Sequence, residues 1–165
     1  MKIFDCFMFY DEELLLDIRL NILDEYVDYF VIVESEFFHN GKKRDLKFNI
    51  DKFKKFKDKI IYIIHTSEPK GIIKLDANDN EIIKSEKLIF NAHLREHDQR
   101  NHIKYGLTKA RDDDLILISD VDEVPNLNAI DLSKIGNQII IFHQEIFYYK
   151  FNRYLPDFTW HGTKA

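Results

Sequence analysis

Four short apolar runs punctuate the chain as far as Ser119: Lys2 to Phe9, Tyr29 to Glu34, Ile60 to Ile64 and Leu115 to Ser119. Each is brief, rich in Ile, Val and Phe, and flanked by polar residues, the pattern of strands buried on both faces. Between them the period lengthens. Leu14, Leu15, Ile18 and Ile22 recur at three and four residues after an acidic start, and Ile103, Leu107 and Ala110 do so ahead of the fourth run, which predicts helices. Alternating strand and helix predict a parallel α/β sheet with right-handed crossovers. After Pro125 the pattern changes. A short helix is expected near Asn128 to Lys134, then two strand-like runs in quick succession, Gln138 to Phe142 and Ile146 to Phe151. The expected architecture is an open, Rossmann-like α/β sheet, parallel in its first half and mixed at its C-terminal end.

Composition narrows what such a sheet can do. With 165 residues, 45% hydrophobic and 14% aromatic, the chain can bury one sizeable core, and neither a repeat nor a linker marks a boundary, so one domain over residues 1–165 is expected. Lys and Arg number 24 against 29 Asp and Glu, a formal charge of -5, which argues against a bulk electrostatic grip on nucleic acid or anionic membrane. A phosphate ligand would have to be held locally. Cys6 is the single cysteine, so neither an internal disulfide nor a thiolate zinc cluster is available, and a reducing compartment is favoured. The N-terminal stretch MKIFDCFMFYDEELLL is interrupted by Asp5 and closed by Asp11, Glu12 and Glu13, unlike a signal peptide or anchor. A cytoplasmic chain without a transmembrane segment is the expectation.

Candidate chemistry concentrates in residues 115–125, LILISDVDEVP, where an apolar strand delivers Asp120, Asp122 and Glu123 to one spot. Ligands of open α/β sheets sit beyond the carboxyl ends of the strands. In an extended chain, side chains 120 and 122 share a face while Val121 points into packing. Two carboxylates on one face suit Mg²⁺ or Mn²⁺, hard cations that recruit substrate phosphates. A second D-x-D, Asp112 to Asp114, lies at the opposite end of the same strand and reads as a solvated loop. Only five glycines are present, with neither G-x-G-x-x-G nor a P-loop, so a metal would have to hold any diphosphate.

Extending the Ile103 stripe backwards reaches Arg100, Gln99 and Glu96 inside REHDQRN, where a core face would carry aliphatic residues. Arg100 is the expected cation for a phosphate or partner for Asp120. Glu34, ending the second strand, could accept hydrogen bonds from a ribose. His97 and His102 read as surface residues, whereas His161 in WHG, or His143, could supply a third metal ligand beside Asp120 and Asp122.

Four segments, DCFMFYDEELLLDIRL, VDYFVIVES, REHDQRN and LILISDVDEVP, resemble glycosyltransferase family 17 in order and spacing, with weaker similarity through FYYKFN and WHGTKA. The resemblance implies the GT-A fold, inverting transfer, a UDP-N-acetylglucosamine donor, a glycan or glycoprotein acceptor, and Mn²⁺ (or Mg²⁺). It implies metal binding by Asp122, with Asp120 on the ribose or a metal-bound water, and Glu123 bracing the loop. The loop from Phe7 to Glu12 would cover uracil and ribose, with Tyr10 stacking. Glu145 and Asp157 are candidates for the base, and family members usually run on past the position matching Ala165, which offers another location for it. Two alternatives stand beside this reading: a Mg²⁺-dependent phosphohydrolase, and a sugar-nucleotide-binding module without turnover.

Overall fold

The structure, a computed structural model, describes residues 1–131, 134–136, 138–150 and 152–165. Six strands form one sheet: β1 (Ile3–Phe9), β2 (Tyr29–Ser35), β3 (Ile60–His65), β4 (Leu115–Asp120), β5 (Ile141–Phe147) and β6 (Tyr154–Lys164). Their order is β3-β2-β1-β4-β6-β5. The first four run parallel, Cys6 lying between Val31 and Ile118, while β6 is antiparallel to both β4 and β5. The sheet is thus parallel in its first half and mixed in its second.

Because the parallel strands are covered on both faces, alternate residues feed two cores. Ile3, Phe7, Phe9, Phe30, Ile32 and Leu117 pack with Leu16, Leu20 and Leu23 of α1 (Glu13–Leu23). Phe4, Cys6, Val31 and Val33 face the other way, against Ile103. Burial, with the Asp5 carboxylate a smaller contributor, pushes the Cys6 thiol far above its usual range, which leaves it an inert core residue.

The helical registers differ from the sequence reading. In α1 the buried face is Leu16, Arg19, Leu20 and Leu23, while Leu14 and Ile22 stand exposed. An arginine in the middle of the apolar face disguised it. The second helix, α2, spans Glu81–Asn101, capped by the Asn80 side chain, and gives way to a 3₁₀ turn over His102–Gly106. Leu107 and Ala110 therefore lie beyond the helix, and Ile103 reaches the core from the turn. At Gly106 a Cβ would come within 2.3 Å of Val31 Cγ1, so this crossing of β2 demands glycine.

After Pro125 a 3₁₀ turn covers Leu127–Ala129, and the expected helix to Lys134 falls partly on residues outside those described. Only the end of the run Gln138 to Phe142, from Ile141, and the start of Ile146 to Phe151 belong to a strand, and both lie in the single strand β5; Phe151 lies outside the described residues. The sixth strand went unread because YLPDFTWHGTK lacks apolar alternation. No helix among the described residues is long and apolar enough to cross a membrane.

Candidate active site

At the carboxyl edge of β4 the backbone turns rather than staying extended, with Glu123 N donating to Asp120 O at 3.1 Å and Val124 N to Asp122 O at 3.2 Å. Val121 is still buried, and Asp120 and Asp122 still line one cavity of about 340 Å³, together with Tyr10, Glu12, Arg44 and Gln99. A wider cavity of about 540 Å³ adjoins it through Tyr10 and Arg44 and adds Lys43 and Lys47. Only the first contains the paired carboxylates.

The loop that carries them is held from beneath by Arg19. This fully buried side chain forms a bidentate pair with Asp5 at 2.8 and 2.6 Å, bonds the Ser119 hydroxyl, and donates to the carbonyls of Asp120, Val121 and Glu123 at 3.0, 3.2 and 2.9 Å. Its guanidinium also lies 4.6 Å over the Phe7 ring. An isolated buried charge would be costly; the carboxylate and the carbonyls together compensate it. Glu123 braces the same loop from above, accepting from Asp120 N and from the Trp160 indole, while its carbonyl accepts from the Thr163 hydroxyl at 2.9 Å.

Charge at the site is unbalanced. Asp122 is pushed above the usual carboxylate range, first by partial desolvation and then by the neighbouring charges of Asp120, Glu123 and Glu12. Arg100, from the last turn of α2, donates to Asp120 Oδ1 at 2.9 Å and to Glu96 at 3.2 Å. The stripe that pointed to Arg100 was misplaced beyond residue 101, but the helix does bring its guanidinium to Asp120. A set of hard oxygen donors in excess of nearby cations fits Mg²⁺ or Mn²⁺.

Tyr10 closes the far wall, its ring 4.2 Å from the Arg44 guanidinium and 5.9 Å from the Phe38 ring. Arg44 reaches back to Ser35 O at 2.9 Å, to Tyr10 O, and to the Glu34 carboxylate at 3.1 Å.

Several expected site residues stand elsewhere. Phe7 is wholly buried inside β1, so it belongs to the core and cannot cover a base. Glu34 is wholly buried too, its oxygens taken by Lys47 N, Phe48 N and the Tyr62 hydroxyl as well as Arg44; it anchors residues 44–48 rather than a ribose. His161 pairs with His143 across the β5–β6 ladder, their rings 4.6 Å apart, and it forms no compact ligand set with Asp120 and Asp122. Glu145, opposite Thr159, and Asp157, at a positive φ of 65°, are exposed on the same hairpin, and neither lines either cavity. Asp114 is not simply solvated: it accepts from Lys2 N at 2.6 Å and Arg111 N at 3.0 Å, tying the loop to β1.

Sequence reasoning missed Arg19 and Arg44. The signal for Arg19 was present as a lone cation at helical spacing between Leu16 and Leu23. Arg44 sits in the loop after β2, which the apolar pattern did not reach.

Comparison with known proteins supplies one match. The family model described as glycosyltransferase family 17 matches residues 1–164. Searches of curated proteins and of solved structures find no match. With essentially its whole length matched, the chain belongs to glycosyltransferase family 17.

Proposed function

We propose that the chain is a metal-dependent, inverting glycosyltransferase of GT-A type that moves N-acetylglucosamine from UDP-N-acetylglucosamine to a hydroxyl of a glycan or glycoprotein. The observation that carries this reading is the placement of Asp120 and Asp122 on one cavity at the carboxyl edge of a parallel sheet, where nucleotide ligands of such sheets sit. The strand order, with its antiparallel β6 next to β4, supports it.

Asp122, with Asp120, would hold Mn²⁺ or Mg²⁺. That cation, when bound, would neutralise the diphosphate and stabilise charge developing on departing UDP. The protein's own groups prepare the ground: Arg19 fixes the carbonyls of the carboxylate loop, and Glu123 fixes its amide. Arg100 holds Asp120 in place and offers a guanidinium to a phosphate oxygen. Tyr10, braced by Arg44, presents a flat ring to the uracil. In the transfer the bond from the anomeric carbon to UDP breaks while the acceptor oxygen bonds to that carbon from the opposite face, its proton passing to a base. Since neither Glu145 nor Asp157 lines the cavity, we assign the base to neither.

Release of UDP from UDP-N-acetylglucosamine, with and without a glycan acceptor, tests this. Turnover should need Mn²⁺ or Mg²⁺ and disappear in Asp122→Asn. Tight metal-dependent binding of UDP with no release would instead leave a binding module, the reading that the distant Glu145 and Asp157 favour. Turnover that survives in Asp122→Asn would contradict the site.

A further inference from the structure

A second cluster of ligating side chains, His65, Asp98 and His102, lies next to Ser35 and Gln99, which line the carboxylate cavity. His65 ends β3 and is 1% exposed, yet its ring is not packed against apolar groups alone. Its Nε2 lies 2.8 Å from Asp98 Oδ2, and its ring centroid lies 4.3 Å from that of His102. One ligand atom from each of these three residues falls within 4.8 Å of the other two. Asp98 and His102 are four residues apart at the end of α2, which puts them on one face.

We propose that His65, Asp98 and His102 form a second metal site, for a d-block divalent cation of the Zn²⁺ class, that clasps the end of β3 to the last turn of α2. The hydrogen bonds around the two rings orient them for this. His102 Nδ1 is 2.7 Å from the Asp98 carbonyl, which can only accept, so Nδ1 carries the hydrogen and the neutral ring keeps a bare Nε2. His65 Nδ1 lies 3.0 Å from the Ser35 hydroxyl, an oxygen able to accept from it once Nε2 turns to a metal. Such outer hydrogen bonds are what fix the tautomer of ligating histidines.

Two imidazoles and one carboxylate select differently from the all-oxygen pair at Asp120 and Asp122, so the two sites would not compete for one ion. Tetrahedral bonds of about 2.0–2.2 Å place neighbouring ligand atoms roughly 3.3 Å apart, so the His65–Asp98 pair need open only by about half an ångström. Asp98, its side chain 31% exposed, leaves a route for the ion and for a water as fourth ligand. The ligands bracket two residues with duties of their own: Gln99 donates to Val33 O at 3.0 Å, and Arg100 pairs with Asp120. The ion would therefore stiffen the turn that delivers Arg100. This inference goes beyond glycosyl transfer and does not rest on it.

The test uses the whole chain carrying Asp122→Asn, stripped with EDTA, dialysed, and titrated with Zn²⁺ alone by calorimetry and thermal melting. One Zn²⁺ should bind and raise the melting temperature. Adding Asp98→Asn, or His102→Gln, should weaken binding at least tenfold and remove the shift, and Co²⁺ should show four-coordinate visible absorption only in the parent. Those two variants separate this site from the exposed His143–His161 pair. Should His102→Gln not fold, Asp98→Asn decides alone, since asparagine can still bond His65. No Zn²⁺ binding by the parent, or binding unchanged by Asp98→Asn, overturns the proposal.

Discussion

Arg19, buried in α1, donates to the backbone carbonyl of Asp120 at 3.0 Å, tying the core face of that helix to a residue that lines the cavity. The same guanidinium neutralises Asp5, so its two roles can be separated by substitution. Arg19→Leu leaves Asp5 buried and unpaired and should cost about 3–5 kcal/mol in urea unfolding. Arg19→Lys keeps the charge but not the planar fork, so it should fold with a smaller loss while metal-dependent UDP binding weakens markedly. Equal UDP affinity in Arg19→Lys and wild type would show that the loop holds its shape without the fork.

Asp122 gives a prediction whose sign is set by its raised pKa. A carboxyl raised in the folded state stabilises that state most below its unfolded pKa, and the benefit is lost as pH rises through the folded value. The metal-free protein is therefore strained by the Asp122 charge at neutral pH. Asp122→Asn should unfold at the same or higher denaturant concentration than wild type at pH 7 in EDTA, with the gap closing towards acid pH. A clear destabilisation at pH 7 would contradict the charge-crowding picture.

Arg100 should act oppositely on the two components of the ligand. Arg100→Leu removes the cation paired with Asp120, so Mn²⁺ alone should bind at least as tightly, while UDP in the presence of Mn²⁺ should bind about tenfold more weakly, roughly 1.4 kcal/mol. Calorimetry of both ligands decides. Parallel losses would mean that Arg100 only supports the fold.

The paired decoy, Asp112 to Asp114, no longer behaves as one unit. Asp113→Asn should stay within about 0.5 kcal/mol of wild type, as surface changes do. Asp114 differs because its backbone bonds from Lys2, and then Arg111, hold its carboxyl below the usual range; its contribution is present above the unfolded pKa and fades as pH falls. Asp114→Asn should lower stability at pH 7 and match wild type in acid. Neither should change UDP affinity.

Much of the parallel half was legible because strands buried on both faces are apolar throughout, and a run such as YFVIVES shows this without any knowledge of its partners. The position of Asp120 and Asp122 on one cavity was legible because carboxylates at the end of such a run have no packing reason to be there. What failed was wherever polar residues are buried or apolar ones exposed. Arg19 interrupts the α1 stripe, and Glu34 looks like a strand cap but is enclosed by the loop that follows its strand, which folds back over it at residues 44–48. The β6 segment lacks the pattern because Tyr154, Phe158 and Trp160 stand exposed, and His161 was drawn away from the carboxylates by a ladder register that no local pattern encodes.

The central claim is that Asp120 and Asp122 seat a UDP-sugar through a divalent cation, and calorimetric titration of UDP into the protein tests it most directly. With Mn²⁺ present, one UDP should bind wild type, and binding should largely vanish both in EDTA and in Asp122→Asn with Mn²⁺. UDP binding of equal strength in EDTA, or in Asp122→Asn, would contradict it.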